Sequence, residues 1–217
     1  MVALAIWRWT LRRLLRSPSL WTAAVLSGVG IPLIRATRPI TTSASAWEQA
    51  LPWVYPAALL GAASALVTLS HGRGLLDRVD ARNRFAGELG ALTLGAMALQ
   101  VPILGGALWS GAAPSAVGPG LVAILTLALH LASVGLLLLI PPISSLLRTS
   151  LFLAAVWLVP AVCASDPVLA RLGVWLDVRS PLRSEALPDL IPSLASALAL
   201  FACAYLLRSA PAREVAG

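Results

Sequence analysis

The chain has 217 residues, 59% of them hydrophobic and 12% charged, with a mean hydropathy of +0.86. Soluble domains carry about 25% charged residues, so this composition excludes a soluble globular class. The net charge of +7 comes from 16 arginines and no lysine; they are spread over several loops with no basic face of interleaved aromatics, which argues against a nucleic-acid partner, and without a lysine the chain is not a P-loop ATPase.

Residues 3–16 read ALAIWRWTLRRLLR. Ala3, Ile6, Trp7, Leu11, Leu14 and Leu15 recur at helical spacing, while Arg8, Arg12, Arg13 and Arg16 fill much of the remaining circumference. This pattern predicts an amphipathic helix lying in the membrane interface, its arginines reaching toward headgroups. The arginines are interleaved with apolar residues and do not precede an apolar run, so the segment is not read as a cleavable signal. Ser17-Pro18 breaks the helix.

Six spans are expected in order: 20–34, interrupted by Gly28, Gly30 and Pro32; 50–69, with Pro52 and Pro56 in its first turns; 88–109; 120–140, ended by Pro141-Pro142; 147–163; and 190–207. Uncharged runs of this length suit a helix crossing about 30 Å of hydrocarbon. The expected fold class is all-α: one polytopic membrane domain over 1–217, with six transmembrane helices and both ends on one side. Eleven arginines fall on the side of the termini and five on the other, which puts the termini in the cytoplasm by the positive-inside rule. Before the last span, 167–178 (PVLARLGVWLDV) places Val168, Leu169, Leu172, Trp175 and Leu176 at helical spacing, predicting a short amphipathic helix at the outer face.

Little in the spans points to catalysis. The two histidines are His71, in a loop, and His130, inside the fourth span; the pattern H-E-x-x-H is absent and no second histidine or acid lies near His130, so no metal or cofactor is expected. Gln100 and His130 are the candidate functional polar groups inside the membrane, each with an alternative reading as hydrogen-bonding glue between helices. Cys163 and Cys203 read as small buried apolar residues. GAASA (61–65) and GALTLGA (90–96) suit close helix packing. In the charged loop 70–87, Leu75, Leu76 and Val79 form an apolar stripe that Phe85 extends, with Asp77, Arg78, Asp80, Arg82 and Arg84 around it. A helix of that kind can seat in a cleft on a partner protein.

The order of these elements resembles the membrane (permease) subunit of an ABC-2-type ABC transporter. LRRLLRSPSLW (11–21) resembles the family's elbow helix, loop 70–87 sits where the family places its coupling helix, and WLDVRSPLRSEAL (175–187) resembles the proline-containing stretch before the last helix. The family's Gly-Thr/Ser-Leu-Glu-like run after the coupling region is missing; the chain passes from GLLDRVDARNRF to AGELG. The resemblance implies half of an exporter in a bacterial inner membrane. A second permease subunit, identical or not, would complete the pathway, and ATP-binding cassette subunits would hydrolyse ATP and couple through loop 70–87. The reading from a different class is a non-transporting six-helix scaffold or assembly subunit of a membrane complex. A secondary transporter is disfavoured by the shortage of embedded acids and the lack of an inverted repeat.

Overall fold

The computed structural model describes residues 2–16, 43–76, 78–109, 114–159 and 191–209, together with the single residues Trp21, Val25, Val29, Val162 and Ser165. Among them there is no strand. The helices are α1 (Val2–Leu15), α2 (Ser43–His71), α3 (Arg73–Leu76), α4 (Ala81–Ala98), α5 (Gln100–Trp109), α6 (Pro114–Leu138), α7 (Ser145–Leu153) and α8 (Ile191–Ser209). A wide π turn over Ala154–Leu158 continues α7.

Four stretches are long and apolar enough to cross a membrane: Trp53–His71, Ala81–Trp109, Leu121–Leu138 and Ile191–Arg208. Large apolar side chains such as Leu60, Val101, Leu125, Leu198 and Leu206 point outward, while Gln100, Thr126, His130 and Ser133 are buried. In water this distribution would leave an aggregating surface; in lipid it is the stable one. The chain is a membrane-embedded helical protein. The four stretches correspond to the expected second, third, fourth and sixth spans. The fifth is described as the shorter apolar helix Ser145–Leu158. The expected first span (20–34, apart from its single residues), the outer helix 167–178 and Cys163 lie outside the described residues.

Two boundaries differ from expectation, for one reason. Helix α2 begins at Ser43, not Ala50, and α4 begins at Ala81, not Glu88. Hydropathy measures the hydrocarbon-crossing part of a helix, whereas the helix itself starts at its cap. For α4 that cap is Asp80, whose carboxylate accepts the Asn83 backbone N–H at 3.2 Å. The third expected span is also broken at Leu99. Pro102 has no N–H to donate to the Ala98 carbonyl, so the ladder fails there and a new helix restarts at Gln100.

Helices α2, α4 and α6 form the centre, with α1 packed on α4 and α2, and α8 on α6 and α4. Three hydroxyls inside the bundle are satisfied within their own helix: Thr68 donates to the Ser64 carbonyl, Thr126 to Val122 and Ser133 to Leu129, at 2.8–2.9 Å. Ser133 also lies 3.4 Å from the Ala197 carbonyl of α8. Tyr55 of α2 donates to the Val156 carbonyl in the π turn at 3.1 Å. Cys203, expected to be buried, is exposed on α8, where the helix turns an apolar face outward.

The tightest seam is α2 on α4, where the sequence expected it. A Cβ on Gly61 would collide with the Gly95 backbone carbonyl, and one on Gly95 would sit 2.6 Å from the Ala65 Cβ. Backbones this close need glycine on both sides. Gly105 has nothing within 4 Å of its would-be Cβ. Gly61→Ala and Gly95→Ala should each lose about 1–3 kcal/mol through overpacking, read as a lower unfolding midpoint in detergent. Gly105→Ala should hold or raise the midpoint, since alanine favours the helix.

Candidate functional site

One end of the bundle collects the C-terminal ends of α2, α6 and α8 and the N-terminal ends of α4 and α7. Two short connections lie there: 72–80 between α2 and α4, and 139–144 between α6 and α7. The second contains Pro141-Pro142. In a continuing helix those residues would donate N–H groups to the Leu137 and Leu138 carbonyls, and prolines cannot. The Leu137 carbonyl accepts from the Ile140 N–H at 3.2 Å. Arginines meet the carbonyls of Leu138, Ile140, Pro141 and Ile143. Arg148, 1% exposed, donates from Nε to the Leu138 carbonyl at 2.8 Å and from Nη2 to the Pro141 and Ile143 carbonyls at 3.0 Å. Arg73 of α3 donates from Nη1 to the Pro141 carbonyl at 2.8 Å and from Nη2 to the Ile140 carbonyl at 3.1 Å. Cations at the carbonyl end of α6 also oppose its dipole.

Arg73 therefore ties the α2–α4 connection to the α6–α7 turn. A second tie runs through Glu88 of α4, which is 1% exposed. Arg84, one turn earlier, approaches one of its oxygens at 3.0 Å, and Arg208 at the end of α8 pairs with the other. A buried carboxylate is tolerated only when paired and hydrogen-bonded, and here two guanidiniums share it. Phe85 packs edge-on against Phe201 and Tyr205 of α8, with ring centroids 5.5 and 5.3 Å apart. Arg73, Arg84 and Arg208 line a cavity of about 330 Å³ between these elements, together with the apolar Leu139, Ile140 and Leu207.

Helix α1 caps this end from the side. Its Ile6, Thr10 and Leu14 are buried, and it packs so closely that a Cβ on Gly87 would lie 2.7 Å from the Ile6 Cδ1, and one on Gly72 2.5 Å from the Trp9 ring. Leu4, Trp7, Leu11 and Leu15 form an exposed apolar strip; Arg8, Arg12 and Arg16 form a separate exposed strip, and Arg13 stacks over Trp9 at 4.9 Å. The helix thus has a buried face, an exposed apolar strip and an exposed basic strip.

The coupling stripe expected in 70–87 is partly withdrawn. Only Arg73–Leu76 forms a helix before α4. Leu76 is 5% exposed and belongs to this chain's own core, Val79 packs against that core, and Phe85 is buried. Arg78, Asp80 and Arg82 remain exposed; the Leu75 and Asp77 side chains lie outside the described residues. Gln100 and His130 are both buried inside the bundle, Gln100 donating to the Ala96 carbonyl at 2.8 Å. Among the described residues no three His, Cys, Asp or Glu side chains gather as a metal group. Glu88, Arg148 and Arg208 were not singled out from sequence. The legible signal was Pro-Pro at a span end followed by a lone arginine in an apolar segment.

Comparison of the chain with protein-family models, curated proteins and solved structures finds no match, so the functional reading rests on its own residues.

Arg148→Gln should lower stability by about 2–4 kcal/mol by stranding the Leu138 and Ile143 carbonyls, whereas Arg82→Gln on the exposed surface should change it by less than about 0.5 kcal/mol. Pro142→Ala, which supplies an N–H opposite the Leu138 carbonyl, should recover part of the Arg148→Gln loss. Unfolding midpoints in one detergent check all three.

Proposed function

We propose that this chain is a membrane-spanning subunit of an ATP-driven exporter, forming half of its translocation pathway and worked by a separate ATP-binding subunit at the basic end of the bundle. The observation that carries the reading is the tie through Arg73. Force applied to the α2–α4 connection reaches α6 and α7 through Arg73 and α1 through the Gly72–Trp9 contact. A connection fixed in this way transmits a partner's movement to several helices at once, as coupling requires.

The contact differs from an apolar knob in a cleft. With Leu76 in the core, the surface offered is charged: Arg78, Asp80 and Arg82 on the connection and the start of α4, with Arg8, Arg12 and Arg16 on α1. Complementary charge sets register and association rate more than raw affinity, so the partner's cleft is acidic. The positive-inside bias of these arginines supports a cytoplasmic location for this end and for both termini, and α1 serves as the elbow. The burial of Leu76 equally favours the second reading, a non-transporting scaffold subunit, because it takes that residue out of the apolar docking stripe.

The test is purification of the tagged chain from its native membrane in mild detergent, followed by ATP hydrolysis in the eluate. The transporter reading expects an ATP-hydrolysing chain to co-purify, and expects Arg78→Glu with Arg82→Glu to reduce its recovery about tenfold or more while leaving the unfolding midpoint of the membrane chain unchanged. An eluate with no ATP-hydrolysing partner would leave the scaffold reading in its place.

A further inference from the structure

Three helices depart from the regular hydrogen-bond ladder at one height in the bundle, and the glycine seam fixes that height. Helices α2 and α4 run antiparallel, joined at the basic end by the short connection 72–80, and Gly61 meets Gly95 backbone to backbone. Six residues farther from the basic end, about 9 Å along each helix, stand Tyr55 on α2 and Val101 on α5. Val101 lies inside the break, after Leu99 and before Pro102. Beside Tyr55 is Pro56, whose missing N–H leaves the carbonyl four residues earlier without its helical donor. The Tyr55 hydroxyl reaches the third irregularity directly, donating to the Val156 carbonyl in the π turn at 3.1 Å. By contrast, α6 is helical without interruption over Pro114–Leu138, and α8 over Ile191–Ser209.

The segments at and beyond this height hold to one another. Helix α5 packs chiefly on α2, and the π turn is tied to α2 by Tyr55. Toward the basic end the seam has no room for movement, since a Cβ on Gly61 or Gly95 would already collide. At the break a polar group is stranded: the Gln100 Oε1 is buried and accepts no hydrogen bond, while its amide nitrogen donates to the Ala96 carbonyl at 2.8 Å. A buried acceptor without a donor costs free energy in this arrangement, and a bend that admits water to the break relieves it.

We infer that this height is a hinge, at which α5, the π turn and the far part of α2 tilt as one unit against α6 and α8 while the seam and the basic end stay fixed. Irregular turns inside helices are where hinges and kinks form, and here the irregularities of neighbouring helices coincide. The hinge belongs to the chain alone, so its failure would leave the transporter reading to its own test.

Backbone hydrogen exchange, followed by mass spectrometry on the full chain in phosphatidylcholine nanodiscs, tests it. In wild type, residues 98–103 and 154–158 should exchange at similar rates, about tenfold or more faster than the regular stretch 121–136 of α6, because one opening exposes the whole unit. Pro102→Ala supplies an N–H for the Ala98 carbonyl and should slow exchange at the break about fivefold, the effect of one net hydrogen bond. Exchange at 154–158, on a different helix, should slow by a similar factor. Adding Tyr55→Phe should abolish the effect at 154–158 and keep it at the break. Protection at the two turns as high as in α6 would overturn the hinge from wild type alone, whatever the variants do. So would a Pro102→Ala effect confined to 98–103 in a folded chain.

Discussion

Backbone carbonyls that lose their helical partners in an apolar medium must find donors, and at the end of α6 two consecutive prolines create such carbonyls. Arg148 meets the Leu138 carbonyl, and Arg73 meets the Ile140 and Pro141 carbonyls of the turn that follows. Those two residues come from α7 and α3, so satisfying one turn fixes the positions of the helices on either side of it. The guanidiniums bring charge into a region where water is scarce, and the one buried acid among the described residues, Glu88, is placed beside two more arginines from α4 and α8. The geometry of the whole basic end follows from this sequence of needs: carbonyls first, then arginines, then the carboxylate.

The rest of the bundle relies on a different principle. Away from that end, α2 and α4 approach through Gly61 and Gly95, hydroxyls turn back on their own helices, and apolar side chains face lipid. Dispersion at a close seam supplies association where the hydrophobic effect between helices is weak. One end is thus held by directional polar contacts, and the remainder by packing.

How much of this could be read from the residues differs by feature. Membrane character, the second, third, fourth and sixth spans and the small-residue seam follow from hydropathy and from GAASA and GALTLGA. The helix starts at Ser43 and Ala81 do not, because a hydropathy window reports hydrocarbon thickness while Asp80, a local cap, decides where α4 begins. The site was harder still. Glu88 marks only a span boundary in sequence; that it is buried depends on Arg208, 120 residues away, and no local pattern encodes that pairing. Leu76 and Val79 read correctly as an apolar stripe, but the sequence could not say whether the stripe faces a partner or the chain's own core. Leu76 lies in that core and Val79 packs against it.

The central claim is that Glu88 and Arg208 act as a unit joining α4 to α8. A double-mutant cycle with Glu88→Met, Arg208→Met and the pair, followed by reversible unfolding in one detergent, measures it directly. Glu88→Met alone should be the most damaging, at about 3–5 kcal/mol, because it leaves the largely buried Arg208 without its carboxylate. The double variant should recover enough for a coupling energy above about 1.5 kcal/mol, within the range found for residues in direct contact. Additive losses, with coupling below about 0.5 kcal/mol, would mean that the two side chains do not act together and that the basic end is not held as described.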